Sequence, residues 1–362
     1  MYIYQSENWP DFYWDREKIL SLLAKIKLSQ GLLLGKMRNL GFDAQNNAAL
    51  QTICEEILKS GIIEGELLNV RQVRSSVARR MGMPYEDIQI PQNVDGTAEI
   101  MFNAIQKYSE AVNKKRICLW HEKMFPGGRS GWNKIKSGDY RDDSLGAMQV
   151  VSGPIGNEKV CYQAPPASEL PEQMKQLFVF INKSKEDNII KAGISHLWFV
   201  ILHPFDDGNG RIARIITELL LARSEKSASR FYSMSSQIAK ERKEYYRQLE
   251  ITGHGSLDIT SWLCWFLSAL GRAIKNSDNL LKNILAKAEF WKKHRGQNLN
   301  ARQSKIINML FEGFEGNLTS AKWAKICKCS HDTATRDIHE LIKLGILAQH
   351  GAGCTTHYKL SE

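Results

Sequence analysis

The chain lacks a hydrophobic run long enough to cross a bilayer. No uninterrupted apolar stretch exceeds six residues, the length of Leu197 to Leu202, where a helical span needs about 18 or more. That excludes a helical membrane protein and gives an expectation of no membrane partner. The opening of a secretory signal is missing too, because the first fifteen residues hold Glu7, Asp11 and Asp15 and no lysine or arginine. Nor is there the cysteine density of a disulfide scaffold. Cys54, Cys118, Cys161, Cys264, Cys327, Cys329 and Cys354 are odd in number and scattered through 362 residues, the pattern of reduced thiols in a cytoplasmic protein. Cys327 and Cys329 stand one residue apart with no second pair, too close for the spacing of a zinc pair. Internal repeats and low-complexity tracts are absent. Acidic residues are in deficit, 39 against 49 basic ones for a formal charge of +10. The excess favours a polyanionic partner, whether nucleotide, nucleic acid or anionic surface, without choosing among them.

What is there is an ordinary globular composition, 43% hydrophobic and 24% charged, in a length that suits two or three domains. Apolar periodicity predicts helices over 15–40, 43–59, 67–81 and 95–116. Nothing strand-like precedes residue 135. Residues 146–163 place β-branched side chains on either side of a Gly-Pro-Ile-Gly turn, a hairpin inside a helical chain. Helices resume over 172–183, 188–202, 210–224 and 259–281. The aromatic stripe Trp262, Trp265 and Phe266 has helical spacing and reads as core. The tail differs: short amphipathic helices over 301–311, 320–327 and 331–344 are followed by two short strands around glycines. That is the order of a winged helix-turn-helix. From Trp291 onward eleven Lys/Arg face six Asp/Glu, so half of the net charge lies in this fifth of the chain.

One stretch carries most of the chemical information: His203-Pro-Phe-Asp-Asp-Gly-Asn-Gly-Arg-Ile-Ala-Arg214. An apolar helix runs into a loop with Gly208 and Gly210, whose conformational freedom lets backbone N–H groups turn inward ahead of a second helix. Such a nest cradles anions. Arg211 and Arg214 are three apart on that helix, so two guanidiniums can grip adjacent phosphates. Asp207 is a hard oxygen donor suited to Mg²⁺, and His203 is the nearby group that titrates near neutrality. Base, metal ligand, nest and two arginines within twelve residues are equipment for phosphoryl or nucleotidyl transfer. Taken piecewise, the same residues are also a helix-ending turn and a surface loop.

The segment resembles the signature of Fic proteins, His-x-Phe-x-(Asp/Glu)-Gly-Asn-Gly-Arg-x-x-Arg, at every fixed position. The likeness extends over about 115–270. Gly138-Asp-Tyr-Arg141 is similar to the approach to the family's flap hairpin, Tyr162 to Pro166 to its exit, and Tyr245-Tyr246 to the pair flanking the nucleotide base. The resemblance implies a mainly α fold, a Fic-type helical bundle with a β-hairpin flap, plus the small winged helix-turn-helix domain. It implies that His203 deprotonates a Ser, Thr or Tyr hydroxyl of a protein, which attacks the α-phosphate of ATP, leaving AMP on the target and releasing pyrophosphate. Asp207 would hold Mg²⁺. Gly208, Asn209, Gly210 and Arg211 would cradle the phosphates, Arg214 would fix the γ-phosphate, and the flap, Val150, Val151, Ser152 and Gly153, would clamp the target by strand addition. Relatives that phosphorylate carry lysine where this chain has Gly210, so adenylylation is the implied reaction.

Upstream, Ser60-Gly-Ile-Ile-Glu64-Gly65 is similar to the inhibitory pattern (Ser/Thr)-x-x-x-Glu-(Gly/Asn) of autoinhibited Fic proteins. Glu64 on Arg214 would occupy the guanidinium that the γ-phosphate needs. A solvated surface glutamate is the alternative reading. The expected layout is an N-terminal helical domain over 1–105 with the inhibitory helix around 55–82, a catalytic core over 106–278 with the flap at 146–163, a linker helix over 279–300 and the winged helix over 301–362. The tail leaves a second reading open, a nucleotide-sensing transcriptional regulator that binds DNA through Thr333, Thr335 and Arg336. Self-modification and a homodimer are further partner expectations. His121 beside Glu122 reads as packing or hydrogen bonding rather than catalysis.

Overall fold

The computed structural model describes residues 1–144, 146–152, 159–311, 314 and 316–361. The chain is mainly helical and divides into two units, Met1–Asp278 and Asn279–Glu362.

The first unit begins with α1 (Arg16–Arg38), α2 (Phe42–Ile63), α3 (Val70–Arg80), α4 (Gln92–Gln106) and α5 (Lys114–Met124). Two two-stranded antiparallel pairs follow, β1 (Arg129–Ser130) with β2 (Asn133–Lys134) and β3 (Gln149–Ser152) with β4 (Lys159–Gln163). Then come α6 (Leu170–Lys183), α7 (Asn188–Leu202), α8 (Asn209–Glu225), α9 (Met234–Lys240), α10 (Arg242–Gly253) and α11 (Thr260–Lys293), whose residues beyond Asp278 belong to the second unit. Side-chain caps set several starts: Asp15 accepts from Lys18 N, Asn69 from Arg71 N and Asp187 from Ile189 N.

Apolar residues surround α7 on every face, and a helix of that kind belongs inside. Ile189, Ala192, Leu197, Phe199 and Leu202 are all buried, and α8 packs along it with Ile212, Ile216, Leu219 and Leu220. The expected aromatic stripe on α11 joins this core. Trp262 Nε1 donates to the Gly193 carbonyl at 2.8 Å, and a Cβ at Gly193 would stand 3.0 Å from both Leu263 and Phe266, so the helices touch backbone to ring.

Three expectations need correction. The helix predicted over 95–116 is two helices, α4 and α5. Between them Arg116 donates to the carbonyls of Asn103, Lys107 and Glu110, Arg223 to those of Tyr108 and Glu110, and Asn182 pairs with Val112 through both backbone groups. Side chains satisfy what helical bonds would have satisfied, so the break is stable. A strand pair, β1 and β2, does precede residue 135, its turn made by Gly131 at φ +56°. The residues predicted for a separate linker helix are instead, as far as Lys293, the end of α11.

The second unit holds α12 (Ala301–Phe311), α13 (Ser320–Cys327), α14 (His331–Lys343) and the antiparallel pair β5 (Leu347–His350) and β6 (His357–Leu360). Ile306, Ile307, Trp323, Ile338 and Leu341 form its core, and Leu318 bridges Tyr358.

Candidate active site

The loop between α7 and α8 is set by its backbone. His203 ends α7 in the left-handed region at φ 46°, and Gly208 opens α8 at φ 78°. Gly208 has no room for a side chain, since a Cβ there would lie 2.7 Å from the Phe125 ring. Gly210 differs from the expected role. It lies within α8 and has no positive φ; its missing Cβ instead admits the Glu64 carboxylate, which a Cβ would approach to 2.2 Å. Asn209 is buried and staples the loop, accepting from Phe205 N at 2.9 Å and donating to the Phe205 carbonyl at 2.7 Å.

His203 is half-buried, and its Nδ1 lies 3.1 Å from the Val200 carbonyl, which assigns the ring proton to Nδ1 and the basic lone pair to Nε2. Burial pushes its pKa below the ordinary imidazole range and Arg141 pushes the same way, against the Val200 carbonyl, Glu64 and Asp207. Arg141 holds this end of the loop: its Nε donates to the His203 carbonyl at 2.8 Å and its N–H to the Pro204 carbonyl at 2.9 Å.

Asp207 is fixed from both sides. Gly208 N donates to its Oδ1 at 2.5 Å, and the hydroxyl of Ser130, from β1, donates to its Oδ2. The carboxylate faces a cavity of about 720 Å³ lined also by Glu64, Glu66, Phe125, Arg129 and Arg211.

The end of α2 lies over this cavity. Arg214, its side chain 1% exposed, donates through Nη2 to Glu64 at 2.7 Å and to the Ser60 carbonyl at 3.1 Å, and through Nε to Ser60 Oγ at 2.8 Å. Burial works against the charge of Arg214, but Glu64 and Tyr245 outweigh it and raise its pKa. Gly65, at φ +83°, turns the chain so that Glu66 reaches Arg211 Nη1 at 2.5 Å. Arg214 Nη1 and Arg211 Nε are buried without a hydrogen-bond partner among the described residues. Unsatisfied buried donors cost about 1–3 kcal/mol each, so this pair fits a phosphate-bearing ligand, and Asp207 beside it fits a divalent cation.

Other expected site residues lie elsewhere. Val150 and Val151 are on β3, where the register shifts between them, and Val151 is exposed; Gly153 lies outside the described residues. Tyr245 is buried in the core with its hydroxyl 2.9 Å from His196 Nε2, so it offers no face to a nucleotide. Tyr246 is 39% exposed and donates to the Ile63 carbonyl at 3.1 Å, as does Arg242 at 2.9 Å. Both therefore tie α10 to the end of α2.

Sequence reasoning missed Glu66, Ser130 and Arg242, whose partners are 145, 77 and 179 residues away. The extra acidic residue right after the Glu64-Gly65 turn was the available signal for Glu66.

Residues 111–221 match the model described as the Fic/DOC family, and residues 2–83 match a domain of unknown function, DUF4172. The chain is 27% identical over 213 residues to the protein adenylyltransferase Fic of Nematostella vectensis, covering 56% of this chain and 44% of that one. It is 25% identical over 228 residues to protein adenylyltransferase fic-1 of Caenorhabditis elegans, covering 59% and 40%. The match thus spans less than half of either relative. In fold it is similar to a Fic family protein from Desulfovibrio desulfuricans G20, with TM-score 0.56, 21% identity and coverage of 96% and 97%. It is also similar to C. elegans Fic-1, with TM-score 0.51, 19% identity and 73% of each chain covered. The segment that carries His203, the Gly208 turn and both arginines lies within the residues that match the Fic/DOC family model.

Proposed function

We propose that the chain is an autoinhibited protein adenylyltransferase that moves AMP from ATP to a Ser, Thr or Tyr hydroxyl of a protein, itself included. The observation that carries this reading is the pair of buried guanidinium groups without hydrogen-bond partners among the described residues, Arg211 Nε and Arg214 Nη1, on the helix that follows His203. They suit the phosphates of a nucleotide, with the N-terminus of α8 behind them. His203 Nε2 takes the proton of the attacking hydroxyl, and the new O–P bond at the α-phosphate forms as the bond to pyrophosphate breaks. A depressed pKa keeps the imidazole neutral and ready to accept at physiological pH. Arg211 and Arg214 orient the phosphates, and the N–H groups of the loop shield their charge. Asp207 would hold Mg²⁺, which when bound neutralises phosphate charge.

Glu64 is the brake in this reading. It occupies the face of Arg214 that a γ-phosphate needs, so a bound nucleotide is turned out of line for attack. The second unit, with its three helices, hairpin and Leu318–Tyr358 bridge, supports a winged helix-turn-helix that presents or localises the target.

The test is AMP incorporation from α-labelled ATP with Mg²⁺ into wild type, Glu64→Gly and Glu64→Gly/His203→Ala. Labelling is expected in the single variant alone, with His203→Ala lowering it by about 10²-fold or more. Transfer that survives His203→Ala sinks the mechanism.

A further inference from the structure

His121 of α5 is fully buried between two backbone segments that the reaction needs in register. Its ring stacks on that of Phe205, centroids 4.1 Å apart and planes 11° from parallel. Nδ1 lies 3.1 Å from Gly138 N, and Nε2 lies 3.1 Å from the carbonyl of Asp207. A backbone N–H only donates, so Nδ1 accepts and the ring proton sits on Nε2; a carbonyl only accepts, so that proton is used. The two partners alone fix the tautomer. One end of the ring therefore holds the loop residue whose carboxylate faces the cavity. The other holds Gly138, three residues before Arg141, which in turn grips the carbonyls of His203 and Pro204.

We propose that His121 is a positioning residue for the group transfer: it clasps Asp207 to the 138–141 segment and, through Arg141, sets the base in line with the phosphate site. The inference rests on the adenylyl-transfer reading above. His121 does not touch reacting atoms. It acts through Asp207 and Arg141, and a loss of about 1 Å in such an alignment costs on the order of 10²-fold in rate.

A packing role and a positioning role separate cleanly by substitution. His121→Phe keeps a ring against Phe205 and loses both hydrogen bonds. His121→Gln loses the ring but carries an amide N–H that reaches toward the Asp207 carbonyl. Packing alone makes the Phe variant the better enzyme; positioning makes the Gln variant better.

The experiment uses the full chain with Glu64→Gly as parent. It reads kcat and KM for ATP in AMP incorporation, calorimetric affinity for Mg²⁺·ATP, and the thermal unfolding midpoint. Expected are a fall in kcat of about 10²-fold for His121→Phe, recovery of about tenfold or more in His121→Gln, and no higher unfolding midpoint in His121→Gln than in His121→Phe. Weakened Mg²⁺·ATP binding in His121→Phe goes with this result. A kcat within threefold of the parent in His121→Phe overturns the proposal, as does activity that simply follows the unfolding midpoint. A parent that binds Mg²⁺·ATP and transfers nothing overturns the adenylyl-transfer reading instead. Calorimetry then decides the clasp, which unchanged affinity in His121→Phe overturns.

Discussion

Glu66 reaches Arg211 at 2.5 Å from the same turn that puts Glu64 2.7 Å from Arg214. Both arginines of the α8 N-terminus are thus held by carboxylates two residues apart, with Gly65 in its left-handed conformation between them. Removing Glu64 alone leaves Arg211 engaged. The Glu66 pair is partly exposed, so its worth is about 1 kcal/mol, a factor of about five. Adding Glu66→Gln to Glu64→Gly is expected to tighten ATP binding and raise AMP incorporation several-fold over the single variant. Glu66→Gln by itself leaves Glu64 on Arg214 and changes transfer little. Calorimetry with ATP and label incorporation check both statements, and a double variant no better than Glu64→Gly rejects a role for Glu66 in the brake.

Gly208→Ala attacks the turn itself. A side chain at φ 78° is strained, and its Cβ would also stand 2.7 Å from the Phe125 ring. The strain costs about 1–3 kcal/mol, and relieving it swings the Gly208 N–H away from Asp207. The expected result is a lower unfolding midpoint together with Mg²⁺·ATP binding weakened by an order of magnitude or more. A variant that is destabilised yet binds nucleotide as well as the parent shows that the turn serves folding alone.

How far the sequence could be read depended on the range of the forces at each place. The helix over 188–202 and those over 301–311 and 320–327 are found at their predicted residues, because apolar periodicity and capping are local. The turn at Gly208 was legible for the same reason. The break between α4 and α5 was not, since the groups that make a non-helical 107–113 stable come from Arg116, Asn182 and Arg223, the last two 70 or more residues distant. Ser130 on Asp207 was invisible likewise, and Glu66 on Arg211 left no signal beyond its acidic type after the Glu64-Gly65 turn, both being side-chain contacts made by tertiary packing. Tyr245 shows the limit of resemblance. The aromatic is in place, but its hydroxyl is spent on His196, a partner that residue pattern does not reveal.

His196 makes stability depend on pH in a predictable direction. The ring is fully buried, with Nδ1 3.0 Å from Thr217 Oγ1 and Nε2 2.9 Å from the Tyr245 hydroxyl. The Thr217 hydroxyl donates to the Ala213 carbonyl, so it accepts from Nδ1, and Nε2 accepts from Tyr245. A second proton has no place to go. Burial, with Arg214 nearby, pushes the group down to about 3. An unfolded chain takes up that proton near pH 6.5 while the folded one does not, so the unfolded state binds more protons and stability falls as pH falls. From this site alone the slope is about 1.4 kcal/mol per pH unit below pH 6.5, or about 2 kcal/mol between pH 7.5 and 5. Denaturant titrations at those two pH values compare wild type with His196→Phe. The variant starts lower, because the Tyr245 and Thr217 hydroxyls lose their partner, but its loss between the two pH values is expected to be about 2 kcal/mol smaller. Equal losses in both proteins mean that His196 is protonated in the folded chain, with Nε2 donating to the Tyr245 hydroxyl instead of accepting from it.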